Sequence, residues 1–164
     1  MRQAALLLAA ALVLPGCGLQ PLYGGGGSGY VASSLAQVDV APIPGRAGWL
    51  MRAALRDRLN AAGAGQATRY RLDVRLDDQL ESLGILSDDT ISRERRILRA
   101  RYQLVDITTG EILLDATTGS DAGIDVVSSD YATIAAEQRA LENLAEEVAE
   151  RMVTQLALTL RQQR

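Results

Sequence analysis

The chain has 164 residues, a single cysteine, no histidine and a net charge of −3. That length suits one domain with a modest core. The missing histidine excludes a Ser-His-Asp triad and histidine metal ligands, and one cysteine cannot close an internal disulfide.

Met1–Arg2 is a short positive start, and Ala4–Leu14 is an unbroken run of 11 apolar residues. A helix needs about 20 residues to cross a bilayer. The run therefore predicts the apolar region of a secretory signal. Leu14-Pro15-Gly16-Cys17 follows. It resembles the lipobox of bacterial lipoproteins, with Pro15 where Ala or Ser is usual. The other reading is an ordinary cleaved signal with a chance cysteine. The lipobox implies cleavage before Cys17, a diacylglycerol thioether on its sulfur, and an acyl chain such as palmitate on its amine. Each buried CH₂ contributes about 0.8 kcal/mol, so two or three chains hold far more firmly than one. By analogy with enteric lipoproteins, Gly18 permits export to the outer membrane where Asp would favour retention.

Residues 18–34 are rich in Gly and Ser, with "GGGGSG" at 24–29. They predict a flexible tether. No strand precedes the glycines and no "GK[ST]" follows them, so they are not a phosphate-binding loop. The expected organisation is a signal at 1–16, a lipidated Cys17 with its tether at 17–34, and one α/β domain at 35–164.

Leu35–Ile43 alternates apolar and polar residues and predicts a first strand, stopped by Pro42 and Pro44. Gly45–Ala62 predicts a helix whose apolar face is Leu50, Met51, Ala54, Leu55, Leu59 and Ala62, ended by Gly63 and Gly65. Tyr70–Asp77 is a strict alternation, with Tyr70, Leu72, Val74 and Leu76 on one side. A strand covered on one face reads this way. Ser92–Asp106 predicts a third strand, with Leu98, Ala100, Tyr102 and Leu104 in one parity. "TTGE" at 108–111 predicts a hairpin turn into a fourth strand, Ile112–Ala122, with Ile112, Leu114 and Ala116 as its apolar set. Asp130 is the expected N-cap of a long helix ending near Leu160, with Leu141, Leu144, Val148, Met152, Leu156 and Leu160 as its stripe. The order β-α-β-β-β-α predicts an α+β two-layer sandwich, with two helices on one face of a four-stranded mixed sheet. The first helix makes a parallel crossover between strands one and two, and strands two to four are antiparallel neighbours.

Every basic residue is arginine, and their distribution is uneven. Residues 46–101 hold 12 arginines and 8 acids, whereas residues 102–164 hold 4 and 11. Either one surface meets an anionic partner, or the two halves neutralise each other across the fold. If the apolar parity of strands two and three faces the helices, the other parity carries Arg69, Arg71, Arg75, Arg93, Arg95, Arg99 and Arg101 outward. Asp73 and Asp77 are the acids expected beside them. Such a face suits phosphate or carboxylate, which the planar guanidinium binds bidentately. The alternative is a solvated face with local Arg–Asp pairs.

Little points to catalysis. The adjacent acids Asp77-Asp78, Asp88-Asp89 and Glu146-Glu147 point different ways on a strand or helix and make poor acid–base pairs. No nucleophile–base set and no metal or cofactor motif is present, and the arginines are not interleaved with the aromatics that single-stranded nucleic acid would require.

Cys17 followed by "GLQPLYG" resembles the start of the mature LptE family of lipopolysaccharide-assembly lipoproteins, in its alphaproteobacterial form. Leu19 stands where that family commonly has phenylalanine. The motif covers Cys17 to Gly24, and the order β-α-β-β-β-α is also the family's architecture. The resemblance implies an outer-membrane lipoprotein on the periplasmic side. It would be plug and assembly partner of the LptD β-barrel, would contact lipopolysaccharide, and would carry no cofactor beyond the lipid on Cys17. An auxiliary lipoprotein of an ABC-type lipid transport system is the alternative, with the same anchor and a similar small domain.

Overall fold

Tyr30–Leu35 forms a short helix, α1, inside the stretch whose composition predicts a tether. Ala32, Ser34 and Leu35 are buried, and the Ser33 and Ser34 hydroxyls donate to the Tyr30 carbonyl. Six residues are too few for helical periodicity to show against Gly and Ser. Packing on the long C-terminal helix, not intrinsic propensity, sustains this element. The structure, a computed structural model, describes residues 29–60, 67–85 and 91–163. The signal, Cys17, Gly63, Gly65 and Asp88-Asp89 lie outside the described residues.

Strand β1 is only Val38–Val40, shorter than the alternation predicts. Leu35 belongs to α1, and beyond Val40 the ladder continues only through Ala41 N–H to the Leu72 carbonyl before Pro42 and Pro44. Helix α2 spans Gly45–Leu59, with Gly45 at φ +80° directly after Pro44, a backbone that glycine adopts without strain. Its buried residues Met51, Ala54, Leu55 and Leu59 are those the sequence spacing selects. Gly48 is buried too: a Cβ there would lie 2.7 Å from the Ile43 carbonyl carbon, so glycine lets the helix fold tightly onto its own entry loop.

Strands β2 (Tyr70–Ile85), β3 (Ile91–Asp106) and β4 (Ile112–Asp125) form an antiparallel meander, and β1 pairs parallel with β2. The sheet order is β1-β2-β3-β4. At the β3–β4 turn Gly110 takes φ +75°, its N–H donates to the Asp106 carbonyl, and the Asp106 N–H donates to Glu111. Helix α3 runs from Asp130 to Gln162. Ser129 is its N-cap, not Asp130: the Ser129 hydroxyl accepts from the Ala132 N–H.

Both long helices cover one sheet face, and the core lies between the layers. Leu72, Leu98, Ala100, Tyr102 and Leu104 of the sheet meet Met51 and Leu55 of α2 and Leu144, Val148, Met152 and Leu156 of α3. Fully burying such a side chain contributes about 1.5–3 kcal/mol. The α+β two-layer sandwich expected from the sequence is the observed architecture, with α1 added. β4 corrects one residue. Leu114 and Ala116 pack against the core, but Ile112 is 54% exposed. An irregularity in the ladder between Leu104 and Val105 sets Ile112 opposite Val105, on the outer face.

Candidate functional site on the outer sheet face

Alternation fixes which side chains the uncovered face presents. Arg71 and Arg75 of β2 and Arg93, Arg95, Arg99 and Arg101 of β3 are all exposed on it. Arg69 lies just before β2 and serves the fold: its Nε donates to Asp106 Oδ2 at 3.2 Å, and its guanidinium sits 5.2 Å from the Tyr70 ring centroid.

The face is less basic than the sequence predicts. Beside Asp73 and Asp77 it carries Glu81 from β2 and Asp115, Asp121 and Asp125 from β4. The register decides this. Asp125 stands opposite Arg93, Asp121 opposite Ile97 and Asp115 opposite Gln103, each within reach of an arginine. Arg93 pairs with Asp125 at 3.1 Å, Arg95 with Asp121 at 3.5 Å, and Arg101 with Asp115 at 3.0 Å. Arg71 pairs along its own strand with Asp73 at 3.0 Å. Hydrogen bonds from Arg101 and then Gln103 hold the Asp115 carboxyl below the usual carboxylate range, and Asp115 in turn raises Arg101.

Two arginines of the predicted set keep no carboxylate partner among the described residues: Arg75 and Arg99. Arg75 stands directly across from Arg101, a like-charge pair. Arg99 stands across from Asp77, whose carboxylate instead accepts from the Gln79 amide. Each lines its own depression. Asp73, Val74, Arg75, Arg101 and Gln103 surround one of about 230 Å³. Ile97, Arg99 and residues 117–121 surround another of about 430 Å³. Gly119 makes room there, since a Cβ would meet the Leu98 carbonyl oxygen at 3.0 Å and Arg99 Cγ at 3.1 Å. The face can therefore offer two separate guanidinium forks to anionic groups, beside four arginines, Arg71, Arg93, Arg95 and Arg101, that are already paired with aspartates.

One charged side chain escaped the sequence reading. Arg96 lies on the helix-facing parity of β3. It grips Asp78 with two hydrogen bonds, of 2.8 and 2.7 Å, and donates to the Glu137 carbonyl of α3. The signal was present: Asp78 and Arg96 both fall in the apolar parity of their strands, where an unpaired charge is costly.

The LptE lipopolysaccharide-assembly family matches residues 35–156. The chain belongs to the LptE family. A Caulobacter crescentus CB15 protein described as a lipoprotein has the same fold, with 27% identity and a TM-score of 0.67, over 80% of this chain and 96% of that one. A minor lipoprotein from Acinetobacter baumannii aligns with a TM-score of 0.61 at 14% identity, over 75% and 92% of the two chains. The rare lipoprotein B from Shewanella oneidensis aligns with a TM-score of 0.58 at 12% identity, over 74% and 94%. These last two show the shared fold. No curated protein matches this chain by sequence.

Proposed function

We propose that this LptE-family chain is an outer-membrane lipoprotein, anchored through Cys17, that acts as plug and assembly partner of the LptD β-barrel in lipopolysaccharide transport to the outer leaflet. The family match over residues 35–156 is the observation that carries this reading. The "CGLQPLYG" motif supports the anchor, with residues 1–16 removed as signal and the following residues as tether. A two-layer domain with a polar, charge-paired outer face is compatible with the polar interior of a wide barrel. On this reading the chain works by contact, not catalysis.

Within the arginine set of Arg69, Arg71, Arg75, Arg93, Arg95, Arg99 and Arg101, the proposed contacts to lipopolysaccharide phosphates or lumen acids fall first on Arg75 and Arg99. They form these contacts without losing an existing partner. The test is purification of the tagged full-length protein from detergent-solubilised outer membranes. A large β-barrel in equal amount is the expected companion, and its absence would remove the plug reading. Arg75→Gln with Arg99→Gln should then weaken lipopolysaccharide retention or barrel association. Unchanged behaviour of both at physiological salt would remove the two arginines from the site.

A further inference from the structure

Strand β4 ends the sheet, with no described strand beyond it. The hydrogen-bond phase of the ladders decides which of its backbone groups that leaves open. The Ile107 N–H donates to the Arg69 carbonyl, one step past the Tyr70–Asp106 register pair. Odd residues of β3 therefore address β2, and even ones address β4. The even residues Leu98, Ala100 and Tyr102 stand across from Ser120, Thr118 and Ala116. The odd residues of β4 from Asp115 to Gly123 thus turn both N–H and C=O away from the sheet. The Gly119 carbonyl agrees with this direction: it accepts from the Arg151 guanidinium of α3. Among the described residues it is the one outward backbone group of β4 with a partner.

Exposed edges are usually blunted by lysine, proline or a bulge. β4 has no lysine, arginine or proline, and its ladder irregularity lies at the Ile112 end. Its aspartates do not guard the edge, because Arg101, Arg95 and Arg93 draw Asp115, Asp121 and Asp125 back over the outer face. The helix-facing side of this strand is also incompletely covered. Leu114, Ala116, Thr118 and Ser120 are half-buried, whereas Leu98, Ala100, Tyr102 and Leu104 of β3 are buried. The row across the sheet at Arg99 ends in Gly119. Strands stand about 4.8 Å apart, so a residue one strand further out has its Cα about 10 Å from that of Arg99. No Gly119 side chain intervenes. An Asp or Glu at that place meets the unpaired Arg99 fork across the depression of about 430 Å³.

We infer that β4 is a docking edge: an extended segment of the partner polypeptide adds as a fifth strand along residues 115–123 and sets a carboxylate side chain across from Gly119, where Arg99 receives it. The inference deepens the plug reading and rests on it, since that reading makes the barrel the partner polypeptide and the segment one of its lumen-facing loops. Strand addition draws affinity from main-chain hydrogen bonds and specificity from alternate side chains. A lipopolysaccharide phosphate matches the Arg99 fork alone, because a lipid has no regular row of donors and acceptors to lay along the edge. In the isolated protein the fork stays open to such a phosphate. Arg151 holds the Gly119 carbonyl in the meantime, and the second lone pair of that oxygen is left for an N–H of the segment.

The test is single-residue amide hydrogen exchange on the full-length lipidated protein in detergent, alone and in complex with its co-purifying barrel. Thr117, Gly119 and Asp121 should exchange readily alone and slow by roughly tenfold or more in the complex. Thr118 and Ser120 should be slow in both, because they face β3. Unchanged exchange at Thr117, Gly119 and Asp121 in an intact complex would overturn the inference and leave the plug reading standing. So would slowing confined to the other open edge, β2 beyond Leu72. If no barrel co-purifies, the plug reading falls and this inference with it. Thr117→Pro removes an outward N–H that the β3 ladder does not use, the kind of position at which an edge tolerates proline. It should cut the recovered barrel by roughly tenfold with an unchanged circular dichroism spectrum. Full recovery with a folded Thr117→Pro would overturn strand addition. Where that variant loses its fold, the exchange result on the parent complex decides, and Arg99→Gln with full barrel recovery would overturn the carboxylate contact.

Discussion

Asp106 shows how one buried carboxylate organises an end of the fold. Its residue is 4% exposed, yet its oxygens are well supplied. The Thr108 backbone N–H donates to Oδ1 at 2.8 Å, and Arg69 donates to Oδ2. The Thr108 backbone and side chain, then Arg69, outweigh burial and hold the carboxyl below the usual aspartate range. A group whose folded value is depressed contributes stability that is fully present above its unfolded value, about 3.9, and is lost as pH falls through the folded value. Asp115 shifts in the same direction for a similar reason. Thermal melts across acidic pH should therefore show a loss of stability below about pH 4 that is shallower in Asp106→Asn. Asp106→Asn should also melt lower than the parent at neutral pH. A variant with an unchanged acid slope would show that the hydrogen bonds to Asp106 do not form in solution.

At the scale of elements, α3 is held at its two ends by different means. Its lower turns are sealed by Leu144, Met152 and Leu156 in the core. Ahead of that stripe, Arg96 ties the Glu137 carbonyl to Asp78 of β2. Both charged side chains are partly buried, at 17% and 24% exposure, so the pair is screened less than its neighbours on the outer face. Hydrogen bonds to charged groups contribute about 1.5–3 kcal/mol, and Arg96→Met should cost an amount in that range by urea unfolding. Hydrogen exchange should quicken in the first turns of α3 and not near Leu156. Uniform quickening along the helix would mean that Arg96 supports the whole sandwich. The sandwich itself was legible in the sequence because strand alternation and the two helical stripes each leave one apolar face. What remained hidden depended on pairing. Alternation cannot report that β4 brings Asp115, Asp121 and Asp125 beside the β3 arginines, nor that a ladder irregularity turns Ile112 over. The short β1 was hidden too, because α1 takes Leu35 from the front of the alternation, and α1 was hidden because six residues carry no measurable period. Arg75 and Arg99 were visible as members of an arginine set, but their unpaired state follows from the register, which sets Arg75 opposite Arg101, and from Asp77 taking the Gln79 amide instead of Arg99.

Across the whole molecule the two charged halves of the sequence interlock. Arg93, Arg95 and Arg101 belong to the basic segment, and their partners Asp125, Asp121 and Asp115 belong to the acidic one. Arg69 with Asp106 and Arg46 with Glu142 cross the same divide, the latter at 3.9 Å. A division along the chain is thus erased in space, and the domain presents no extended field of one sign on its outer face. Such pairs contribute little to stability when exposed. Side chains of Arg93 and Arg95 are 63% and 45% exposed, and those of Asp125 and Asp121 are 77% and 60% exposed. Solvent and salt screen them, so Arg93→Gln and Arg95→Gln should each change the unfolding free energy by no more than about 1 kcal/mol. Their effect on an anionic partner should differ from that of Arg75→Gln with Arg99→Gln, although each pair of substitutions removes the same formal charge. Arg93 and Arg95 must give up an aspartate before gripping a phosphate, whereas Arg75 and Arg99 have both edges of the guanidinium available. Binding of purified lipopolysaccharide measured over a salt series would separate the two cases. A stronger loss of affinity in the Arg75/Arg99 pair is expected, and equal losses would mean that net charge, not the free forks, governs the contact.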